Sequence, residues 1–171
     1  MNTEQAQGML RFFLPTLENE FATTKKVIAA VPQDTCEYKP DAKSKTGREL
    51  AWHIATAEIF FFDGILNGKF EMTGDPEPPA PATIEEISKW YDASFTERLA
   101  QLKALPEDKL SQVIPFFAGM QMPAVAYLQF LVLHSAHHRG QLSAYLRSMG
   151  SKVPSIYGGS ADEPFQMPAQ A

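Results

Sequence analysis

Apolar side chains recur along this chain at intervals of three and four, the spacing that lines one face of an α-helix. Leu10, Phe13, Leu14, Leu17 and Phe21 form one such stripe and predict a first helix from about Glu4 to Ala30. Asn2, with Gln5 three residues on, can cap its start by taking up backbone N–H groups that the first turn leaves free. Pro15 lies inside the stretch and removes a donor, so a kink or short interruption is expected there. Pro32 supplies the stop. After a polar connector from Gln33 to Lys45, Leu50, His53, Ala57 and Phe61 trace one face of a second helix. Thr46-Gly47-Arg48-Glu49 opens it as a capping box, and Asn67-Gly68, tolerant of the left-handed conformation, closes it.

The stretch from Gly74 to Pro81 holds Pro76, Pro78, Pro79 and Pro81. It reads as a loop rather than a domain linker, because neither flanking half could readily build its own core. Thr83-Ile84-Glu85-Glu86 is a further capping box, opening a third helix that carries Ile87, Trp90, Tyr91, Phe95, Leu99 and Leu102 and ends before Pro106. Leu110 to Met122, interrupted by Pro115 and Gly119, is expected to be irregular, with short extended pieces at Val113-Ile114 and Met120-Gln121. Pro123 is placed as the first residue of a fourth helix, where its missing N–H does no harm; that helix runs to Met149 and stops at Gly150. The tail from Ser151 to Ala171 is too rich in proline and glycine to be helical. Four amphipathic segments and no alternating strands predict an all-α four-helix bundle with long connecting loops and a non-helical C-terminal tail, a single domain over residues 1–171. Connections longer than the usual few residues are expected to pack over the bundle ends and carry function.

Composition narrows the partners. Net charge is −5, from 15 basic and 20 acidic residues, and the basic residues are scattered, so no stripe for nucleic acid or an anionic membrane surface is present. No apolar run approaches the ~20 residues that span a bilayer, and the polar start does not read as a signal peptide, which predicts the cytoplasm. Cys36 is the only cysteine; it excludes an internal disulfide and a C-x-x-C site.

Candidate chemistry rests on the histidines. His53, His134, His137 and His138 are the four present. His134 and His138 stand four apart on a helical pattern, so their rings project from one face, one turn apart. That is how one helix offers two nitrogens to one ion. They follow the register of Tyr127, Leu131, Gln141, Leu142 and Tyr145, read as the inward stripe, and His53 lies on the apolar stripe of the second helix. A buried imidazole needs partners for both nitrogens. From spacing and face alone two readings stand: hydrogen-bonded core histidines, or three ligands to one divalent ion with an open position for water or substrate. His137 is offset from the stripe and is expected to face solvent or an interface. Gly140 inside the helix fits either a close helix approach or plain tolerance. Phe12, Phe13, Phe60, Phe61, Phe62, Trp90 and Tyr91 are expected to pack in the core. No H-E-x-x-H, phosphate-binding loop or G-x-S-x-G occurs; no catalytic residue is assigned.

His53 within Glu49-Leu50-Ala51-Trp52-His53, followed far downstream by His134-Ser135-Ala136-His137-His138-Arg139-Gly140-Gln141, resembles the DinB-like superfamily of damage-inducible proteins, which is distinct from the DNA polymerase sharing that name. The tail segment Val153-Pro154-Ser155-Ile156-Tyr157-Gly158 is similar to that of many members, and the likeness spans about Met9 to Asp162. The resemblance implies a four-helix bundle, frequently a homodimer, with a three-histidine site for nickel or zinc, its ligands carried over to His53, His134 and His138. It also implies a metal-dependent transferase that attaches a low-molecular-weight thiol to an electrophile. Two alternatives stay open: a metal-dependent hydrolase, with Glu49 as base unless its capping box holds it, and a non-catalytic metal- or ligand-binding stress protein. Thiol and electrophile are expected to enter between the Gly74–Pro81 loop and the tail near Tyr157. Cys36, with no neighbouring histidine, is a poor nucleophile.

Overall fold

Local hydrogen bonding starts three of the long helices where the sequence signals them. A computed structural model describes residues 1–71 and 77–165. Helix α1 spans Thr3–Ala29, with Asn2 accepting from Gln5 N–H and Gln5 accepting from Asn2 N–H. Helix α2 spans Gly47–Asn67 and is capped in the same reciprocal way by Thr46 and Glu49; α3 spans Ile84–Lys103 behind Thr83 and Glu86. Gly68, at φ +69°, closes α2. The interruption expected at Pro15 does not occur: α1 runs through it. Pro15 and Arg11, whose carbonyl loses its intrahelical donor, both lie on the exposed face, where water can replace the missing partner.

The segment between the third and fourth long helices is more ordered than its sequence suggests. A short helix α4, Glu107–Ser111, leads into a two-stranded antiparallel hairpin of β1 (Val113–Pro115) and β2 (Gln121–Pro123). The extended piece expected at Val113-Ile114 is present, and the one expected at Met120-Gln121 begins one residue later, at Gln121. The start of the last helix is a correction: Pro123 pairs with Val113 in the hairpin, a 3-10 turn follows at Ala124–Ala126, and α5 spans Tyr127–Ser148. Ala124 N–H donates to Gln112 O, so the backbone after Pro123 serves the hairpin end before it can enter a helix. Gly150, at φ +78°, follows the end of α5. Residues 77–81 and 151–165 carry no regular structure, as expected; the remainder of the Gly74–Pro81 loop and of the tail lies outside the described residues.

α2 packs most extensively on α5 and α3, and α1 closes the ring against α3 and α5. This is a four-helix bundle around one apolar cluster that includes Leu17, Ile28, Ile54, Phe62, Phe95 and Leu142. Phe21 stacks on Phe95 with centroids 4.2 Å apart, and Phe62 meets Phe95 edge-on at 5.1 Å, the two aromatic geometries that are favoured energetically. Of the aromatic residues expected in the core, Phe12 is an exception. It is 74% exposed on the outer face of α1. No helix among the described residues is long and apolar enough to cross a membrane.

Candidate metal centre

The contact of α2 with α5 brings His53, His134 and His138 together. Ring centroids are 5.1 Å apart for His53 and His134, 4.6 Å for His53 and His138, and 4.4 Å for His134 and His138. One nitrogen of each ring lies within 4.8 Å of the other two, and all three residues are half-buried. These nitrogens could hold one divalent ion and leave a further coordination position free. His137 is exposed and is not in the group.

Two of the three rings have Nδ1 engaged. His53 Nδ1 faces both carboxylate oxygens of Glu77 at 3.3 Å. Glu77 also accepts from Thr56 Oγ1 and, at 2.8 Å, from Lys45 Nζ. His138 Nδ1 lies 2.7 Å from Gln141 Oε1. An acceptor at Nδ1 places the proton there and leaves Nε2 as the lone-pair nitrogen. His134 Nδ1 is buried with no hydrogen-bond partner among the described residues. Burial, then repulsion from His138 and His53, lowers His134 to about 4. Burial likewise lowers His138, against the pull of Gln141. Both rings are therefore neutral at pH 7, the protonation state a metal ligand needs. Burial alone would raise the Glu77 carboxyl, but hydrogen bonds from His53, Lys45 and Thr56 outweigh it and bring it to about 2.

The deepest line of α5 is not the one its sequence suggests. Leu128, Leu131, Ser135, Arg139, Leu142 and Leu146 are buried, Gln141 is exposed, and the two histidines flank this line. Arg139 is 1% exposed. Its guanidinium binds the Glu20 carboxylate, Thr24 Oγ1 and the hydroxyl of Tyr157. Glu58, 2% exposed, accepts from Tyr91 OH at 2.6 Å. Burial pushes it up to about 7, against the opposing pull of Ser135, Tyr91 and Arg139. Ser135 Oγ and Glu58 Oε1 are both buried without a hydrogen-bond partner among the described residues. Tyr157 thus ties the tail to α1 and α5 and borders a cavity that none of the three histidines lines. Glu49 is held by the Thr46 backbone N–H, as its capping box predicts. Gly140 has nothing within 4 Å of where a Cβ would sit, so no close helix approach among the described residues explains it.

Sequence reasoning missed Glu77, Arg139, Glu20 and Glu58. Glu77 carried one signal, an acid flanked on both sides by prolines, Pro76 and Pro78, in a long loop.

The DinB family model matches residues 4–167. This chain belongs to the DinB family. It is similar to the uncharacterized protein YrdA of Bacillus subtilis strain 168, at 29% identity over 157 residues covering 90% of this chain and 91% of that protein. It is also similar to the uncharacterized protein YjoA of the same strain, at 28% identity over 130 residues, covering 74% of this chain and 82% of that one. Among solved structures, a DinB-like protein of Bacillus cereus ATCC 10987 superposes with a TM-score of 0.73 at 28% identity, covering 85% of this chain and 95% of that one. The crystal structure of YjoA gives 0.69 at 24% identity, covering 84% and 96%, and supports the fold.

Proposed function

We propose that this DinB-family chain is a metal-dependent transferase that joins a low-molecular-weight thiol to an electrophile, with nickel or zinc held by His53, His134 and His138. The observation that carries the reading is the cluster of three ring nitrogens within 4.8 Å, two of whose rings have Nδ1 already engaged by Glu77 and Gln141. Such outer partners orient metal-binding imidazoles and raise their basicity. A bound ion supplies Lewis acidity, which lowers the pKa of a thiol enough for the thiolate to form at neutral pH.

The chain's own groups divide the remaining work. Glu77 fixes the tautomer and tilt of His53. Three imidazole ligands would bring no negative charge to an ion, which favours an anionic thiolate partner. The nucleophile comes from outside the chain: Cys36 is buried at the foot of α2, and burial, then Glu37, raises its thiol pKa. Glu49 is spent on its helix cap, which weakens the hydrolase reading.

Elemental analysis of purified protein tests the site, with about one ion per chain expected and its loss in His138→Ala. Incubation with a bimane-type electrophile and a panel of cellular thiols tests transfer. Wild-type protein free of metal after growth with nickel and zinc, or full metal content in the variant, overturns the assignment.

A further inference from the structure

A cavity of about 590 Å³ runs beside the histidine cluster, within the range of small-molecule sites. Its floor is one face of α2. His53, Ala57, Phe60, Gly64 and Asn67 recur at intervals of three and four, with Thr56 beside Ala57, so the floor extends about 21 Å at 1.5 Å per residue. This is the less buried side of α2; its opposite side, with Ile54, Ala55, Glu58 and Phe62, faces the bundle core. Trp90 and Pro78 add apolar wall. The inner end meets the metal centre at His53 and Glu77, while His134 and His138 do not border the cavity.

The charges along it restrict the occupant. Asp63, Glu71 and Glu77 border it, with Lys69 as the cation among the lining residues. Lys69 is engaged by Glu71, Asp63 by Arg98 and Glu77 by Lys45. An anionic ligand would meet a surplus of carboxylates and an ammonium already paired. An uncharged chain or aryl group would bury apolar area on Ala57, Phe60 and Trp90 and disturb no ion pair.

We infer that this cavity takes an elongated, uncharged apolar molecule whose inner end abuts Glu77 and His53. The inference deepens the proposed function by naming the class of its electrophile, and only that last link rests on the metal-dependent reading.

The protein supplies its own probe. Its two tryptophans are Trp90, on the cavity wall, and Trp52, packed on Trp90 with centroids 4.6 Å apart. Tryptophan emission is titrated with hexan-1-ol through decan-1-ol and with the alkanoates of matching length, at about pH 8. The alcohols are expected to give a saturable change, with affinity rising about threefold to fourfold per methylene, and the alkanoates to bind at least about tenfold more weakly. Ala57→Phe, which fills the floor, should abolish the change. Phe60→Ala, which lengthens the free space, should move the best chain length upward and keeps the test decisive if the first variant fails to fold.

The inference is overturned by the absence of saturation, by alkanoates binding as well as alcohols, or by a response that neither variant alters. Alcohol affinity that falls as protein concentration rises would overturn it too, since a second copy of the chain would then be the occupant. His138→Ala separates the two readings. Loss of metal with alcohol binding intact is expected. Wild-type protein that binds alcohols but no metal removes the proposed function alone, and metal binding without alcohol binding removes the cavity inference alone.

Discussion

Glu77 and Glu58 are both glutamates next to functional or structural hydrogen-bond partners, yet their surroundings drive them in opposite directions. Three donors hold Glu77 ionised, down to about 2, so it is a permanent acceptor for His53 Nδ1–H at any working pH. Glu77→Ala should lower metal affinity by about 10- to 100-fold, the usual effect of removing an outer partner. Glu77→Gln, which keeps an acceptor oxygen, should lose less. Competition with a chromophoric chelator measures both, and equal affinity in the alanine variant and wild type would deny Glu77 its orienting role. Glu58 is raised from 4.5 to about 7 by burial. Between these values the folded state binds more protons than the unfolded one, so stability falls as pH rises through that window and then levels off. Glu58→Gln keeps an acceptor for Tyr91 and removes the titration. Its stability relative to wild type should therefore climb between about pH 4.5 and 7, by on the order of 3 kcal/mol. Urea unfolding at the two ends of the window reads the difference, and a pH-independent gap would show that Glu58 does not titrate there.

At the scale of elements, legibility followed locality. Each capping box joins residues three apart, so the starts of α1, α2 and α3 could be read from four letters each. The hairpin and the start of α5 depend on distant partners: Tyr127 OH donates to Ile114 O and Ala124 N–H to Gln112 O. No periodicity records such bonds, which is why the pattern predicts a helix start at Pro123 where the chain has a strand end. Helical spacing puts His134 and His138 on one face of α5, but a hydrophobic stripe misses depth by one position, because the buried Ser135 and Arg139 are polar. Gly140 is the remaining local anomaly. It is exposed, helical and without neighbours, so Gly140→Ala should stabilise the protein by roughly 0.5–1 kcal/mol from helix propensity alone. Denaturant titration at several protein concentrations checks this. A destabilisation that depends on concentration would show instead that this face of α5 is pressed against another copy.

Across the whole molecule, the histidine cluster with Glu77 draws on α2, α5 and a loop, whereas the charged network draws on α1, α5 and the tail. Arg139 from α5 binds Glu20 and Thr24 from α1 and Tyr157 from the tail. The sequence hid this because Arg139 stands 119 residues from Glu20 and 115 from Thr24 along the chain, and the members have the composition of an ordinary surface. Only the bundle topology makes them neighbours. A buried ion pair adds little net stability over an apolar replacement, since desolvation of both groups offsets their attraction. Removing one partner is different, because it strands the other charge in the interior. Arg139→Met should therefore cost about 3–5 kcal/mol and release Tyr157, and with it the tail. The double variant Glu20→Gln with Arg139→Met should recover a substantial part of that loss, because no buried charge is then left alone. Unfolding free energies of the two single variants and the double variant close the cycle. Strict additivity of the single losses would mean that Glu20 and Arg139 act independently, and that the tail is held by its own packing.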